Sequence, residues 1–232
     1  MLILRPAGER GNSDLGWLKS HFSFSFADYF DSEHIQFSSL RVLNEDRIAP
    51  ATGFPAHSHS DMEIVTYIMQ GAIKHRDSMG NSFVIRGGEV QRMSAGTGIT
   101  HSEFNASDTE PAHFVQIWIL PNQRGLEPSY EQKYFDTAHK RQRWCLIASP
   151  DGHDGPCIIH QDTLIQCSIL LPGETISYSI NLKRRCYIQV LRGEVQVSDQ
   201  RVSVGDGLRL EGETGVTIVA HQESEILLFD LP

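Results

Sequence analysis

The chain has 232 residues, 40% of them hydrophobic and 21% charged, with a formal net charge of −9. That composition fits an ordinary globular protein with one large core or two smaller ones, and it excludes disordered and fibrous classes. The negative balance argues against a dedicated nucleic-acid binder, whose basic face would neutralise phosphates.

Read from the start, Met1-Leu2-Ile3-Leu4-Arg5-Pro6 is too short in its apolar part for a signal peptide, and no run approaches the roughly 20 apolar residues of a membrane span. The expected location is therefore the cytoplasm. Gly53-Phe54-Pro55-Ala56 turns the chain ahead of His57-Ser58-His59. Next comes a β-branched and aromatic run from Glu63 to Met69, ended by Gln70-Gly71. Ala72 to Asp77 then leads into Met79-Gly80-Asn81, a hairpin turn before Ser82 to Ile85. Strands are predicted at Glu89 to Met93 and at His113 to Leu120, where Pro121 follows. Between them Gly96-Thr97-Gly98-Ile99-Thr100 turns into His101-Ser102-Glu103. The runs Lys140-Arg141-Gln142-Arg143 and Lys183-Arg184-Arg185 read as solvated turns or guarded strand edges. Cys145, Cys157, Cys167 and Cys186 contain no Cys-x-x-Cys pair and read as reduced thiols.

The second half repeats the rhythm of the first. Tyr187 to Val197, broken at Gly193, parallels Tyr67 to Ile73, broken at Gly71. Val204-Gly205-Asp206-Gly207 parallels Arg86-Gly87-Gly88-Glu89, and Glu225 to Asp230 parallels the strand holding Trp118. Strand, glycine turn, strand and acidic glycine turn describe a duplicated antiparallel barrel. The expected fold is all-β: two stacked antiparallel β-barrels, residues 1–135 and 136–232, with little helix.

Chemistry concentrates in the two histidine segments. Residues two apart on a strand share a face and lie roughly 6.5–7 Å apart. His57-x-His59 and His101-x-Glu103 on neighbouring strands therefore offer four ligands to one ion, and three imidazoles with a carboxylate suit a divalent first-row transition metal. The other eight of the eleven histidines, including His75 and His160, read as structural or solvated. Spacing favours Glu103 as the acid. Glu63 would lie roughly 13 Å from His59 on a continuous strand, yet a turn at Ser60-Asp61-Met62 keeps it open as a ligand, and Asp61 or Glu63 could orient an imidazole. In the second half Ser177 and Ser179 occupy the place of the imidazoles, so that copy is expected to lack the site.

These motifs resemble a known family. Gly53-x3-His57-x-His59-x3-Glu63-x7-Gly71 and Gly96-x-Gly98-x2-His101-x3-Asn105 resemble the two cupin motifs. Together with Phe22 to Asp31, Arg76 to Gly80 and Met93 to Gly98 they resemble the pirins, most closely the bacterial pirin-like proteins with quercetin 2,3-dioxygenase activity. The resemblance runs from Gly16-Trp17 to Pro232. It implies a bicupin of the jelly-roll type with one metal in the N-terminal barrel, held by His57, His59, His101 and Glu103, with Glu63 nearby. It implies iron(II), with zinc, nickel, manganese, cobalt or copper as other divalent choices. The implied activity is cleavage of a flavonol such as quercetin by dioxygen, with ring opening and release of carbon monoxide. Glu103 is then also the expected catalytic proton acceptor, with Glu63 as its rival. The alternative the resemblance carries is a non-catalytic, metal-dependent redox sensor acting through a protein partner. A monomer is expected, and an enzyme should have an apolar cavity at the metal, with Phe54, Met62, Met93 and Phe114 as candidates to line it.

Overall fold

The computed structural model describes residues 1–153 and 155–232. Strand accounts for 58% and helix for 3%, as the alternating, glycine-punctuated sequence demands. The chain opens with β1 (Leu2–Arg5), β2 (Gly11–Asp14), β3 (Leu18–Phe22) and the long β4 (Leu40–Ile48). There follow β5 (Gly53–His59), β6 (Glu63–Gln70), β7 (Ala72–Asp77), β8 (Ser82–Arg86), β9 (Glu89–Ser94), β10 (Ile99–Asn105), β11 (Ala112–Ile119), β12 (Ser129–Tyr134) and a short helix, α1 (Thr137–Lys140). The remainder comprises β13 (Cys145–Ser149), β14 (Cys157–Ile158), β15 (Leu164–Leu170), β16 (Thr175–Ser179), β17 (Arg185–Arg192), β18 (Glu194–Val197), β19 (Gln200–Ser203), β20 (Gly207–Glu211), β21 (Gly215–Ala220) and β22 (Ser224–Leu231). The four cysteines are buried free thiols. Among the described residues no helix is long and apolar enough to cross a membrane.

Two compact units form. One is Gly11–Tyr134 with Cys157–Gln161, and the other is Met1–Arg10, Phe135–Pro156 and Asp162–Pro232. Neither is continuous in sequence. The first strand, β1, pairs antiparallel with β20 through Leu2↔Leu210 and Leu4↔Leu208, because the alternation that exposes Ile3 turns Leu2 and Leu4 toward the C-terminal core.

The N-terminal unit holds a seven-stranded sheet, β12-β9-β6-β11-β4-β3-β2, and a four-stranded sheet, β5-β10-β7-β8. In the C-terminal unit the order β9-β6-β11-β4 returns as β20-β17-β22-β15, and β5-β10-β7-β8 returns as β16-β21-β18-β19. The duplication read from glycine spacing is thus a duplication of topology. Cores follow from the pleat: Leu18, Ile48, Ile68, Ile73, Ile85 and Phe114 pack together in the N-terminal unit, and each such side chain contributes about 1.5–3 kcal/mol on full burial. A second N-terminal cluster joins Ile64, Met93, Ala95 and Ile99.

Candidate metal centre

β5 and β10 run antiparallel with His57 opposite His101 and Ser58 opposite Thr100. A bulge between His101 and Glu103 shifts the register, placing Glu103 opposite Phe54. The strands approach so closely at Gly53 that a Cβ there would lie 2.2 Å from the Glu103 carbonyl oxygen, which accounts for the glycine at that point in the first motif. On its other side β10 pairs with β7, with His101 opposite Asp77 and Glu103 opposite His75.

This pairing gathers the three predicted imidazoles. Ring centroids lie 4.8 Å apart for His57 and His59, 4.4 Å for His57 and His101, and 5.0 Å for His59 and His101. One ligand atom from each falls within 4.8 Å of the others. Glu103 shares a sphere of the same size with His101 and His75, rather than with His57 and His59. His75 therefore stands beside the site, and it is fully buried. It offers no lone pair to an ion. Gln91 Nε2 donates to His75 Nδ1 at 2.9 Å, so the ring proton sits on Nε2 and is donated to Asp77 at 2.9 Å.

The other donors are poised differently. His57 Nδ1 donates to the Pro55 carbonyl at 2.8 Å, which fixes the tautomer with Nε2 as acceptor, the arrangement metal-bound histidines commonly adopt. Both ring nitrogens of His101 are buried without a partner, as is Glu103 Oε1. Buried polar atoms are rarely left so. Burial, reinforced by the nearby His57 and His59 rings, pulls His101 down to about 2. Burial and then His57 pull His59 down to about 4. His59 and His101 are thus neutral and keep their lone pairs. Burial pushes Glu103 up to about 7 against the lowering effect of its Gln116 hydrogen bond, with Asp46 adding to the rise. A cation beside these orphaned atoms would pair them, so the donor set fits a divalent metal.

Glu63 is elsewhere. The Ser60-Asp61-Met62 turn exists, with Asp61 at φ 48°, but the pleat of β6 sends Glu63 to the face opposite Ile64 and Thr66. Its carboxylate accepts from Ser94 Oγ at 2.8 Å and pairs with His160 Nδ1 at 3.2 Å. Asp61 accepts from the Gly125 backbone N–H at 2.8 Å. The orienters expected of Asp61 and Glu63 are instead Pro55 and Gln116.

A cavity of about 430 Å³ opens at His57, His59 and Glu103. Leu15, Leu18, Phe22, Phe26, Phe54 and Trp118 supply its apolar wall, and Ser20, Asn44, Asp46 and Gln116 its polar one. Of the expected lining residues only Phe54 takes part: Met93 and Phe114 are fully buried in the cores, and Met62 packs beside Met93. Trp118 stands edge-on to both His59 and Phe26, at 4.9 and 5.4 Å. Its indole N–H donates to Gln116 Oε1 at 3.3 Å, and Gln116 Nε2 donates to Glu103 Oε2 at 3.0 Å. Gln116 is one of a polar row in register across four strands, Asn44, Gln116, Thr66 and Gln91. Polar side chains recurring at interior positions of apolar strands are the sequence signal that would have found this row.

In the C-terminal unit Ser177 and Ser179 are exposed, and Ser177 Oγ pairs with Thr217 Oγ1 at 2.9 Å. They do not stand where the imidazoles stand. Ile176 and Tyr178 turn to the interior instead and join the apolar core.

Paired sheets repeated in two units, with three imidazoles converging beside an apolar cavity in one of them, define a bicupin whose donor set suits a divalent metal. The profile of the pirin family matches residues 4–119, and that of the quercetinase C-terminal cupin domain matches residues 146–231. The chain is 47% identical over 232 residues to a quercetin 2,3-dioxygenase of Escherichia coli (strain K12), covering 100% of this chain and 99% of the relative. It is 39% identical to a pirin-like protein of Caulobacter vibrioides, with 99% of each covered. The crystal structure of the bacterial pirin YhhW in complex with nickel(II) from Escherichia coli matches with a TM-score of 0.96 at 46% identity, covering 100% of this chain and 99% of that one. The chain belongs to the pirin family.

Proposed function

We propose that the protein is a metal-dependent dioxygenase that cleaves flavonols such as quercetin, inserting both atoms of dioxygen, opening the central ring and releasing carbon monoxide. The observation that carries this reading is His101, buried with both ring nitrogens unpartnered and within 4.8 Å of His57 and His59, at a cavity with an aromatic wall. His57, His59, His101 and Glu103 would hold the ion, iron(II) in our reading, with nickel(II), the ion in the Escherichia coli relative's structure, as the first alternative to compare. The C-terminal unit would bind none. A divalent transition metal, when bound, acidifies a coordinated hydroxyl and orients it toward dioxygen.

The chain's own residues do the rest. Phe22, Phe26, Phe54 and Trp118 sandwich a flat ring system and exclude water from it. Gln116, held by Trp118, fixes Glu103 Oε2 and leaves Oε1 to accept the flavonol 3-hydroxyl proton. Pro55 keeps His57 in the tautomer that presents Nε2. Glu63, committed to Ser94 and His160, takes no part. The test is oxygen uptake on adding quercetin to protein loaded anaerobically with iron(II) or nickel(II), with His57→Ala as control. Metal-dependent uptake with carbon monoxide release, lost in His57→Ala, is the expected result; metal-loaded protein that consumes no oxygen would leave a binding role through a protein partner in its place.

A further inference from the structure

The β4 wall of the cavity carries two polar atoms that no described residue satisfies. Asn44 and Asp46 stand two apart on that strand, 2% and 3% exposed, so the pleat sends both side chains the same way. Both line the cavity. Asn44 Oδ1 and Asp46 Oδ1 are buried without a hydrogen-bond partner. Ser20, opposite Asp46 on β3, bonds to that carboxyl and leaves Oδ1 free. Thr66 Oγ1 and Gln91 Oε1 are also unpartnered, but they lie off the cavity wall and so have no access to a ligand there.

We propose that Asn44 and Asp46 form a hydroxyl-recognising subsite, which selects an aromatic ligand bearing hydroxyl groups away from the edge that faces His57 and His59. The proposal rests on the flavonol reading for the orientation of that edge. Asn44 Oδ1 only accepts, so the ligand must donate to it. A hydroxyl both donates and accepts, so it matches Asp46 whether that carboxyl is ionised or protonated. Phe22 and Trp118 flank the pair in register, Phe22 opposite Asn44 and Trp118 opposite Val42, and present ring faces and edges to the ligand body. The substrate class is accordingly a polyhydroxylated aromatic. An analogue without those hydroxyls would bury the two oxygens unpaired and bind less well.

Calorimetric titration of the metal-loaded protein with quercetin and with 3-hydroxyflavone, which keeps the chelating edge and lacks the other hydroxyls, tests this. Wild type is expected to prefer quercetin by about tenfold or more, and Asn44→Ala and Asp46→Ala each to reduce that preference by about tenfold, the effect of one hydrogen bond to a buried acceptor. Asp46→Asn, which keeps an acceptor oxygen, should retain most of it, and metal content should be unchanged in all three. If Asp46→Ala fails to fold, Asn44→Ala decides. Equal affinities in wild type, a preference that survives both alanine variants, or binding of neither compound would overturn the subsite. Oxygen uptake in the same samples separates the two readings: a hydroxyl preference without uptake sustains the subsite and ends the dioxygenase assignment.

Discussion

In the N-terminal unit Ser58 and Thr100 join β5 to β10 through a hydroxyl pair at 2.7 Å, and in the C-terminal unit Ser177 and Thr217 join β16 to β21 through one at 2.9 Å. Aligned on these outward pairs, the two interiors correspond residue by residue. His57 and His101 fall on Ile176 and Ile218, and His59 falls on Tyr178. Through the next strand, Asp77 falls on Val197, Glu103 on Ala220 and His75 on Val195. All six C-terminal residues belong to or pack on one apolar core. The same backbone ladder therefore supports either lining, because side chains alternate across a sheet independently of its hydrogen bonds. An apolar lining completes itself by packing. A polar one leaves unpaired atoms and is complete only with a ligand.

The two linings differ most sharply at His101. His101→Ala is expected to abolish metal retention, measured by elemental analysis of dialysed protein, together with all quercetin-dependent oxygen uptake. The converse change, Ile218→His, puts an unpaired imidazole into the self-sufficient interior and should cost about 2–4 kcal/mol in urea unfolding; a stability equal to wild type would refute the assignment of this position to a closed apolar core. Gln116→Leu removes the hydrogen bond to Glu103 without touching a predicted ligand. It is expected to lower metal affinity or turnover about 10–100-fold, as loss of a ligand's supporting partner does, with an unchanged far-ultraviolet circular dichroism spectrum. Ser177→Ala should be nearly silent, below about 1 kcal/mol for one exposed cross-strand pair, with the same metal content as wild type. A large loss there would show that the serine faces inward after all.

Much of this was legible in the sequence because it depends on local periodicity. His57-x-His59 and His101-x-Glu103 declare a shared face, and Met79-Gly80-Asn81 and Gln70-Gly71 declare turns. What escaped depends on facing and on partners distant in sequence. Ser177 and Ser179 were one residue out of phase with the interior, and a slip of one residue exchanges the two faces of a strand. Glu63 failed for the same reason, since its strand points it at Ser94. The place of His75 beside the site escaped because β7 meets β10 only in the folded sheet, and because its partner Gln91 lies on β9. Gln116 was hidden among apolar neighbours in a strand read only for its hydrophobicity, where a buried polar residue is the more informative one, and Asp46 lies in the polar run Asn44 to Arg47 of β4, a strand not expected from the sequence. Leu2 and Leu4 gave no sign that the chain's first strand would pair with β20.

The contact of Glu63 with His160 has a consequence for synthesis. Four residues past Pro156, the chain supplies the partner of a carboxylate that is 1% exposed, and Gln161 Nε2 donates to the Leu120 carbonyl at 2.7 Å. A nascent chain that has emerged only through β12 holds every predicted ligand yet lacks both of these contacts, leaving Glu63 with its Ser94 hydrogen bond alone. The unit that holds the predicted ligands thus gains these contacts only once Cys157–Gln161 have been translated, and a fragment cut at the end of β12 would inherit the imidazoles without them.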